Sequence, residues 1–290
     1  MAKMGGYFMK NNAVKLGICQ MAVTSDKNFN ISKAKEMIQA AAAANCQVAI
    51  LPEMFNCPYQ AELFSEFAES YPEGDTLRML SRTAAEGKIV VVGGSVPERD
   101  EYNNVYNTSF IFDENGGLLG RHRKMHLFDV DIKGGTVFKE SSILSSGQEM
   151  TVVSMAGLTL GVAICYDIRF PELSRLMTLA GAKLLIFPAV FGWTTGPAHW
   201  ELLMKSRAVD NQVFVVGAAP ASIPGAQYQV YGHSMIVDPW GSILAMAGSE
   251  ETMMTVEIDI NKIDTVRQQL PLLKHRRPDV YQKYHIEYTK

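Results

Sequence analysis

Two segments of this sequence share one pattern and decide the fold. Gly17-Ile18-Cys19-Gln20 runs through a helix-length stretch to Val48-Ala49-Ile50-Leu51-Pro52-Glu53-Met54-Phe55, and Ala163-Ile164-Cys165-Tyr166 runs the same way to Leu184-Leu185-Ile186-Phe187-Pro188-Ala189-Val190-Phe191. Each ends in a short, continuous apolar run stopped by proline, which reads as a buried strand. In the first copy, Asn28 to Asn45 sets Ile31, Ala34, Met37, Ile38, Ala41 and Ala42 at helical spacing, with Asn30 or Ser32 as the cap. Strand, helix, strand in that order predicts two parallel strands with the helix across one face. One unit stands in each half, and no Pro/Gly/Ser-rich or charged linker separates them. The economical architecture is one α/β domain over 1–290, a four-layer α-β-β-α sandwich of two mixed sheets with internal pseudo-two-fold symmetry.

The remaining elements follow outward from these copies. Asp75 to Gly87 predicts a helix and Ile89 to Gly94 a third buried strand. Val105 to Phe112 and Leu118 to His122 form a hairpin around Asp113-Glu114-Asn115-Gly116-Gly117. A second meander joins Met150–Ser154 to Leu158–Ile164 through Ala156-Gly157. Helices are expected at Phe170–Gly181 and Pro197–Asp210, around a strand at Lys183–Phe187. Further strands are expected at Gln212–Gly217, His233–Val237, Ser242–Ala245 and Met253–Ile258. One helix then reaches from Asn261 to about Leu270, followed by a polar, partly aromatic extension.

Composition narrows the function. Of 290 residues, 47% are hydrophobic and 20% charged, with 23 Gly and 12 Pro, which excludes disordered and collagen-like chains. A net charge of −3, with basic residues clustered only at Arg121/Arg123/Lys124 and Lys274/Arg276/Arg277, supplies no field to recruit nucleic acid or an anionic membrane. The expected partner is a small molecule. Met1 to Asn12 lacks the apolar core of a secretory signal, and no apolar window is long enough to span a membrane. Cys19, Cys46, Cys57 and Cys165 are irregularly spaced without a C-x-x-C pair, which speaks against a disulfide framework or a zinc site and for a reducing, cytoplasmic setting.

Ligand-bearing groups in α/β architectures lie just beyond strand ends. Glu53 follows Val48–Leu51, Lys124 follows the strand at Leu118–His122, and Cys165 follows Leu158–Ile164. Together they would supply a base, a cation and a nucleophile, and a lysine aimed at a carbonyl oxygen stabilises the charge of acyl transfer. Taken singly, each has a plainer reading: a packed cysteine, a solvated strand-end carboxylate, one of several basic surface side chains. His122 and His126 stand four apart without the intervening Glu of a metalloprotease helix, so zinc is not expected there.

Three segments then carry a resemblance. Leu51-Pro52-Glu53-Met54-Phe55, Arg121-His122-Arg123-Lys124-Met125-His126-Leu127-Phe128 and Gly161-Val162-Ala163-Ile164-Cys165-Tyr166-Asp167-Ile168-Arg169-Phe170-Pro171-Glu172 look like the three ordered signatures of the nitrilase superfamily of carbon–nitrogen hydrolases. The likeness extends from about Lys15 to Arg277. Phe55-Asn56-Cys57-Pro58-Tyr59, His126-Leu127-Phe128-Asp129-Val130-Asp131 and Thr194-Thr195-Gly196-Pro197-Ala198-His199-Trp200 most resemble ω-amidases.

The resemblance implies Glu53 as general base, Lys124 with the backbone N–H of Tyr166 as oxyanion stabiliser, Cys165 as nucleophile, and Glu140 as a second carboxylate that holds Lys124 or places a water. The plain alternative for Glu140 is a surface charge beside Lys139. An ω-amidase would recognise a remote substrate carboxylate through Arg169, with Tyr59 and Thr195 beside it. The alternative for Arg169 is an ion pair with Asp167 or Glu172. No metal or cofactor is implied, and the family's habit predicts a homodimer with 261–290 as an arm at its interface. Amidases for deaminated glutathione or N-carbamoyl compounds would use the same triad, and a non-catalytic binding scaffold is the reading from a different class.

Overall fold

A computed structural model describes residues 12–155 and 157–284. The N-terminal segment up to residue 11, Ala156 of the expected turn and the end of the arm from residue 285 lie outside the described residues. The first half runs β1 (Ala13–Gln20), α1 (Lys27–Ala43), β2 (Val48–Ile50), α2 (Ala61–Phe67), α3 (Asp75–Gly87), β3 (Val90–Val92), β4 (Val96–Arg99), β5 (Val105–Phe112) and β6 (Leu118–Arg123). A small hairpin of β7 (Asp129–Asp131) and β8 (Val137–Lys139) leads onward. The second half runs β9 (Thr151–Met155), β10 (Leu158–Val162), α4 (Pro171–Leu179), β11 (Leu184–Pro188), α5 (Gly196–Asn211), β12 (Phe214–Ala218), β13 (Met235–Val237) and β14 (Ile243–Met246). β15 (Thr252–Asp259), α6 (Asn261–Gln269) and α7 (Pro278–Tyr281) close the chain.

Both halves contain the expected strand–helix–strand unit, with one correction: the opening strand of the second unit is Leu158–Val162, so Ala163-Ile164-Cys165-Tyr166 lies beyond it, where Gly17-Ile18-Cys19-Gln20 lies within β1. β1, β2 and β3 are parallel neighbours in one sheet, and β10, β11 and β12 are parallel neighbours in the other. Antiparallel strands flank both trios: β15 and β5 around the first, β9 and β13 around the second. The layering is visible in the cores. Leu16, Ile18, Ile50 and Val92 of the first sheet share one buried cluster with Leu160, Val162, Ile186 and Val216 of the second, so the sheets pack face to face. The alternate residues of the same strands face outward. Ala49, Leu51 and Val91 pack against Ile38 and Ala41 of α1 and Leu77 and Leu80 of α3, while Leu185, Phe187 and Val215 pack against Met177 of α4 and Trp200 and Met204 of α5. Period-two strands with both faces apolar are what a sheet covered on both sides demands.

One local expectation is corrected. Neither Asn30 nor Ser32 caps α1; Asp26 does, its side chain accepting from the Phe29 N–H at 3.0 Å. Asn30 is buried, and its amide bonds the backbone of Thr24 at both ends, through Thr24 N and Thr24 O, which tightens the entry to the helix. Among the described residues no helix is long and apolar enough to cross a membrane.

Candidate active site

The carboxyl ends of β2 and β11 and the ends of β6 and β10 converge at one edge of the sandwich. Glu53 leaves β2 in a turn fixed by Ser95, whose N–H donates to Pro52 O at 3.2 Å and whose hydroxyl accepts from Met54 N at 3.0 Å. Gly94 makes this approach possible. Its φ is +51°, and a Cβ there would lie 2.0 Å from Pro52 O, a contact that only glycine avoids. Lys124 directly follows β6, with its N–H on Asn107 O and its carbonyl accepting from Gly147 N, both at 2.8 Å.

Cys165 does not simply end a strand. It opens a 3₁₀ turn over Cys165–Arg169 and itself has φ of +45°, a left-handed conformation that costs a non-glycine residue about 1–3 kcal/mol. The turn lifts the thiol out of the line of β10 into the space between the strand ends. There its sulfur lies 3.5 Å from Val190 O, at the end of β11.

The charged groups form one buried network. Lys124 Nζ donates to Glu53 Oε1 at 3.0 Å and to Glu140 Oε1 at 2.9 Å, and all three side chains are fully buried. Glu53 also accepts from Asn107 Nδ2 at 2.8 Å and, through its other oxygen, from Val190 N at 2.6 Å. Glu140, in a 3₁₀ turn after β8, accepts from Tyr59 Oη at 2.8 Å and from Phe128 N at 2.7 Å. The reading of Glu140 as a surface charge is thereby excluded.

Burial alone would discharge Lys124, but the carboxylates of Glu140 and Glu53 together outweigh it and hold the ammonium well above the ordinary lysine range. Burial raises Glu53; Lys124 opposes the shift and Glu140 adds to it. Burial and the adjacent Glu53 charge also push the Cys165 thiol up, against Lys124. One ammonium shared by two carboxylates thus leaves a basic Glu53 beside a thiol that rests protonated. Such a thiol needs a base to ionise it during attack.

Of the three expected substrate contacts, two share the thiol's space. A narrow cleft is lined by Cys165, Tyr166, Arg169 and Thr195 with Phe128, Val190, Phe191 and Tyr228. Among the described residues Arg169 forms no ion pair; its guanidinium donates to His199 Nδ1 at 3.2 Å and lies over the Phe191 ring. Asp167 has no capacity left for it, because both its oxygens are taken by His122, His126 and the backbone N–H of Ile164.

Tyr59 is placed differently. It lines an adjoining cleft together with Glu53 and Cys57, and the one proton of its hydroxyl is committed to Glu140. That proton is not free for a substrate carboxylate. The sequence reading missed Tyr228, which lines both cavities and whose phenol burial keeps protonated, and Asn107, which orients Glu53. A tyrosine in an aperiodic loop and an asparagine inside a strand carry no sequence signal that separates them from ordinary neighbours.

A covered α-β-β-α sandwich with a glutamate, a lysine and a cysteine at its strand ends points to one class of hydrolase, and a family model for carbon–nitrogen hydrolases matches residues 15–268. The chain belongs to that family, in the nitrilase superfamily, and is an amidase-type hydrolase of carbon–nitrogen bonds. It is 44% identical to omega-amidase NIT2 of Bos taurus over 268 residues, spanning 92% of this chain and 96% of that one. It is 45% identical to omega-amidase NIT2-A of Xenopus laevis, again over 92% and 96% of the two chains. Among solved structures, Nit3 of Saccharomyces cerevisiae, described as a branch 10 member of the nitrilase superfamily, superposes with a TM-score of 0.85 at 40% identity, covering 91% of this chain and 97% of that one.

Proposed function

We propose that this amidase hydrolyses the terminal amide of small ω-amido dicarboxylic acids, of the α-ketoglutaramate or succinamate type, to the acid and ammonia through a thioester on Cys165. The observation that carries the reading is the shared cavity: Cys165 opens into the same space as Arg169 and Thr195, donors suited to a carboxylate at the far end of a short substrate. The omega-amidase relatives support the same substrate class.

In this mechanism Glu53 takes the thiol proton as sulfur attacks the amide carbon, and the Lys124 ammonium with the backbone N–H of Tyr166 binds the oxyanion. Collapse of the tetrahedral adduct breaks the carbon–nitrogen bond while Glu53 returns its proton to nitrogen, so ammonia leaves and a thioester remains. Water then gives one proton to Glu53 and its hydroxyl to the acyl carbon. The thiolate departs, takes the proton back from Glu53, and the acid is released. Glu140, itself held by the Tyr59 hydroxyl, keeps Lys124 in place throughout. The same reading includes a homodimer in the cytoplasm, with the exposed Leu270, Leu272 and Tyr281 of the C-terminal arm at its interface.

The test is ammonia release from α-ketoglutaramate, succinamate, deaminated glutathione and an N-carbamoyl amine, measured side by side. Highest kcat/KM on the first two is expected; preference for either of the others would move the chain to a different amide. Replacing Arg169 by lysine keeps the charge but removes the planar fork. It is expected to raise KM for acidic amides about tenfold more than for neutral ones, the scale of one charge-assisted hydrogen bond. Equal effects on both would take Arg169 out of carboxylate recognition.

The pH profile follows from Glu53. The base works only when ionised, and burial raises its titration, so activity is gained as pH rises through a value above the ordinary glutamate. The acid limb of kcat/KM is therefore expected above pH ~4.3, the unperturbed value. The apparent value belongs to the coupled Glu53, Glu140 and Lys124 cluster. A limb at or below the unperturbed value would argue against Glu53 as the base.

A further inference from the structure

Asp167 stands two residues beyond Cys165, is fully buried, and plays no part in the mechanism above. Its carboxylate nevertheless gathers four donors. Oδ2 accepts from the backbone N–H of Ile164 at 2.9 Å and faces His122 Nε2 at 3.0 Å; Oδ1 accepts from the backbone N–H of His126 at 2.9 Å and faces His126 Nδ1 at 2.7 Å. Ile164 directly precedes the nucleophile candidate, and His122 and His126 stand two residues to either side of Lys124. One side chain thus ties the two segments whose spacing the reaction depends on.

The surroundings make the tie rigid. His122 is buried, with its other ring nitrogen 3.2 Å from Thr151 Oγ1, and the His126 ring stacks on Phe170 at 3.6 Å between centroids. The far side of the turn is held by Arg207, whose Nε donates to Ile168 O at 2.8 Å. Held by its hydrogen bonds against the cost of burial, the Asp167 carboxyl titrates well below the usual range, so it is a charged acceptor at working pH. The left-handed φ of Cys165 persists only where neighbours over-determine it, and the Ile164 contact is such a neighbour.

We propose that Asp167 is a positioning residue: its carboxylate clamps the Cys165 turn to the Lys124 segment and fixes the distance between the sulfur and the ammonium in the reactive geometry. The proposal rests on the reading of Cys165 and Lys124 given above. It does not depend on which amide is the substrate.

Asp167→Asn is the incisive variant. The amide keeps the shape of the carboxyl, yet whichever way it lies, its NH₂ faces one of the two donor pairs. A misplacement of about 1 Å at a reacting centre costs on the order of 100-fold. The expected result is a kcat at least 100-fold lower with KM changed less than threefold, and alkylation of Cys165 by iodoacetamide, followed by peptide mass spectrometry, slowed at least tenfold. His126→Ala removes one donor from a partly exposed position, keeps the backbone contact, and is expected to lose about tenfold in kcat; His126→Gln, which can still donate, should recover most of it.

Asp167→Asn with both kcat and alkylation within threefold of the wild type would overturn the proposal. So would a His126→Ala enzyme unchanged in both readouts where Asp167→Asn does not fold. Alkylation needs no substrate, so that arm decides even where the amide panel shows no turnover and the proposed activity fails.

Discussion

Cys165→Ala is expected to abolish ammonia release from every amide the wild type hydrolyses, by about 10⁴-fold or more, with the fold intact. In the proposed mechanism the acyl intermediate forms on Cys165. The carboxylates of Glu53 and Glu140 are held by three hydrogen bonds each, and Lys124 is tied to both as an ammonium. The structural cost is expected to be small, because the change removes one sulfur atom whose hydrogen bond to Val190 O is long, at 3.5 Å. The check pairs an ammonia assay with a thermal melt on wild type and variant purified alike. Residual turnover above a hundredth of the wild type would remove the covalent route. A wild type that captures the acyl group of a slow amide as a mass increment on the Cys165 peptide, absent from the variant, would establish it.

The second large effect is expected at Lys124, where stability and activity change together. Lys124→Met leaves the hydrocarbon volume but strands Glu53 and Glu140 in a fully buried pocket without a counter-ion. Breaking a buried pair from one side costs about 3–5 kcal/mol, on the order of 10 °C in melting midpoint for a chain of this size. Loss of the proposed oxyanion donor should lower kcat about 10²- to 10³-fold. The two consequences are separable in Lys124→Met/Glu140→Gln. Removing the second carboxylate's charge should restore much of the stability and none of the turnover. If turnover returns as well, the lysine serves charge balance alone and something else receives the oxyanion.

How far the sequence could be read follows from where its signals were local. The βαβ copies were legible because both faces of their strands are buried and the apolar runs are unbroken. β4 was not, since Val96-Pro97-Glu98-Arg99 contains a proline that argues against a strand; it is tolerated because β4 lies at the end of the sheet order. α2 is seven residues long with no side-chain cap, too short for a periodic pattern. β7 and β8 are three-residue strands with exposed, partly charged ends, and β8 runs directly into the turn that carries Glu140.

Among site residues, Glu53, Lys124 and Cys165 could be singled out because each follows a strand end. Glu140 was placed by resemblance, and its neighbours Lys139 and Ser141 are exposed positions that gave no hint of its burial. The partner of the Tyr59 hydroxyl could not be read at all. It depends on a contact across 81 positions of sequence.

The internal repeat carries one more consequence. Strand pairing aligns Leu16, Gly17 and Ile18 of β1 with Leu160, Gly161 and Val162 of β10, so Glu53 corresponds to Ala189 but Cys19 corresponds to Ala163, and Cys165 lies two residues further on. Cys19 lies in the helix-facing core, fully buried, with a thiol pushed by that burial up to about 12. The two halves therefore contribute different positions to the site: the first a carboxylate directly after β2, the second a sulfur in the 3₁₀ turn beyond β10. Even the resting orientation of Glu53 is set from the other side, by the Val190 N–H. In the proposed mechanism, hydrolysis is in this sense a property of the seam between the two halves.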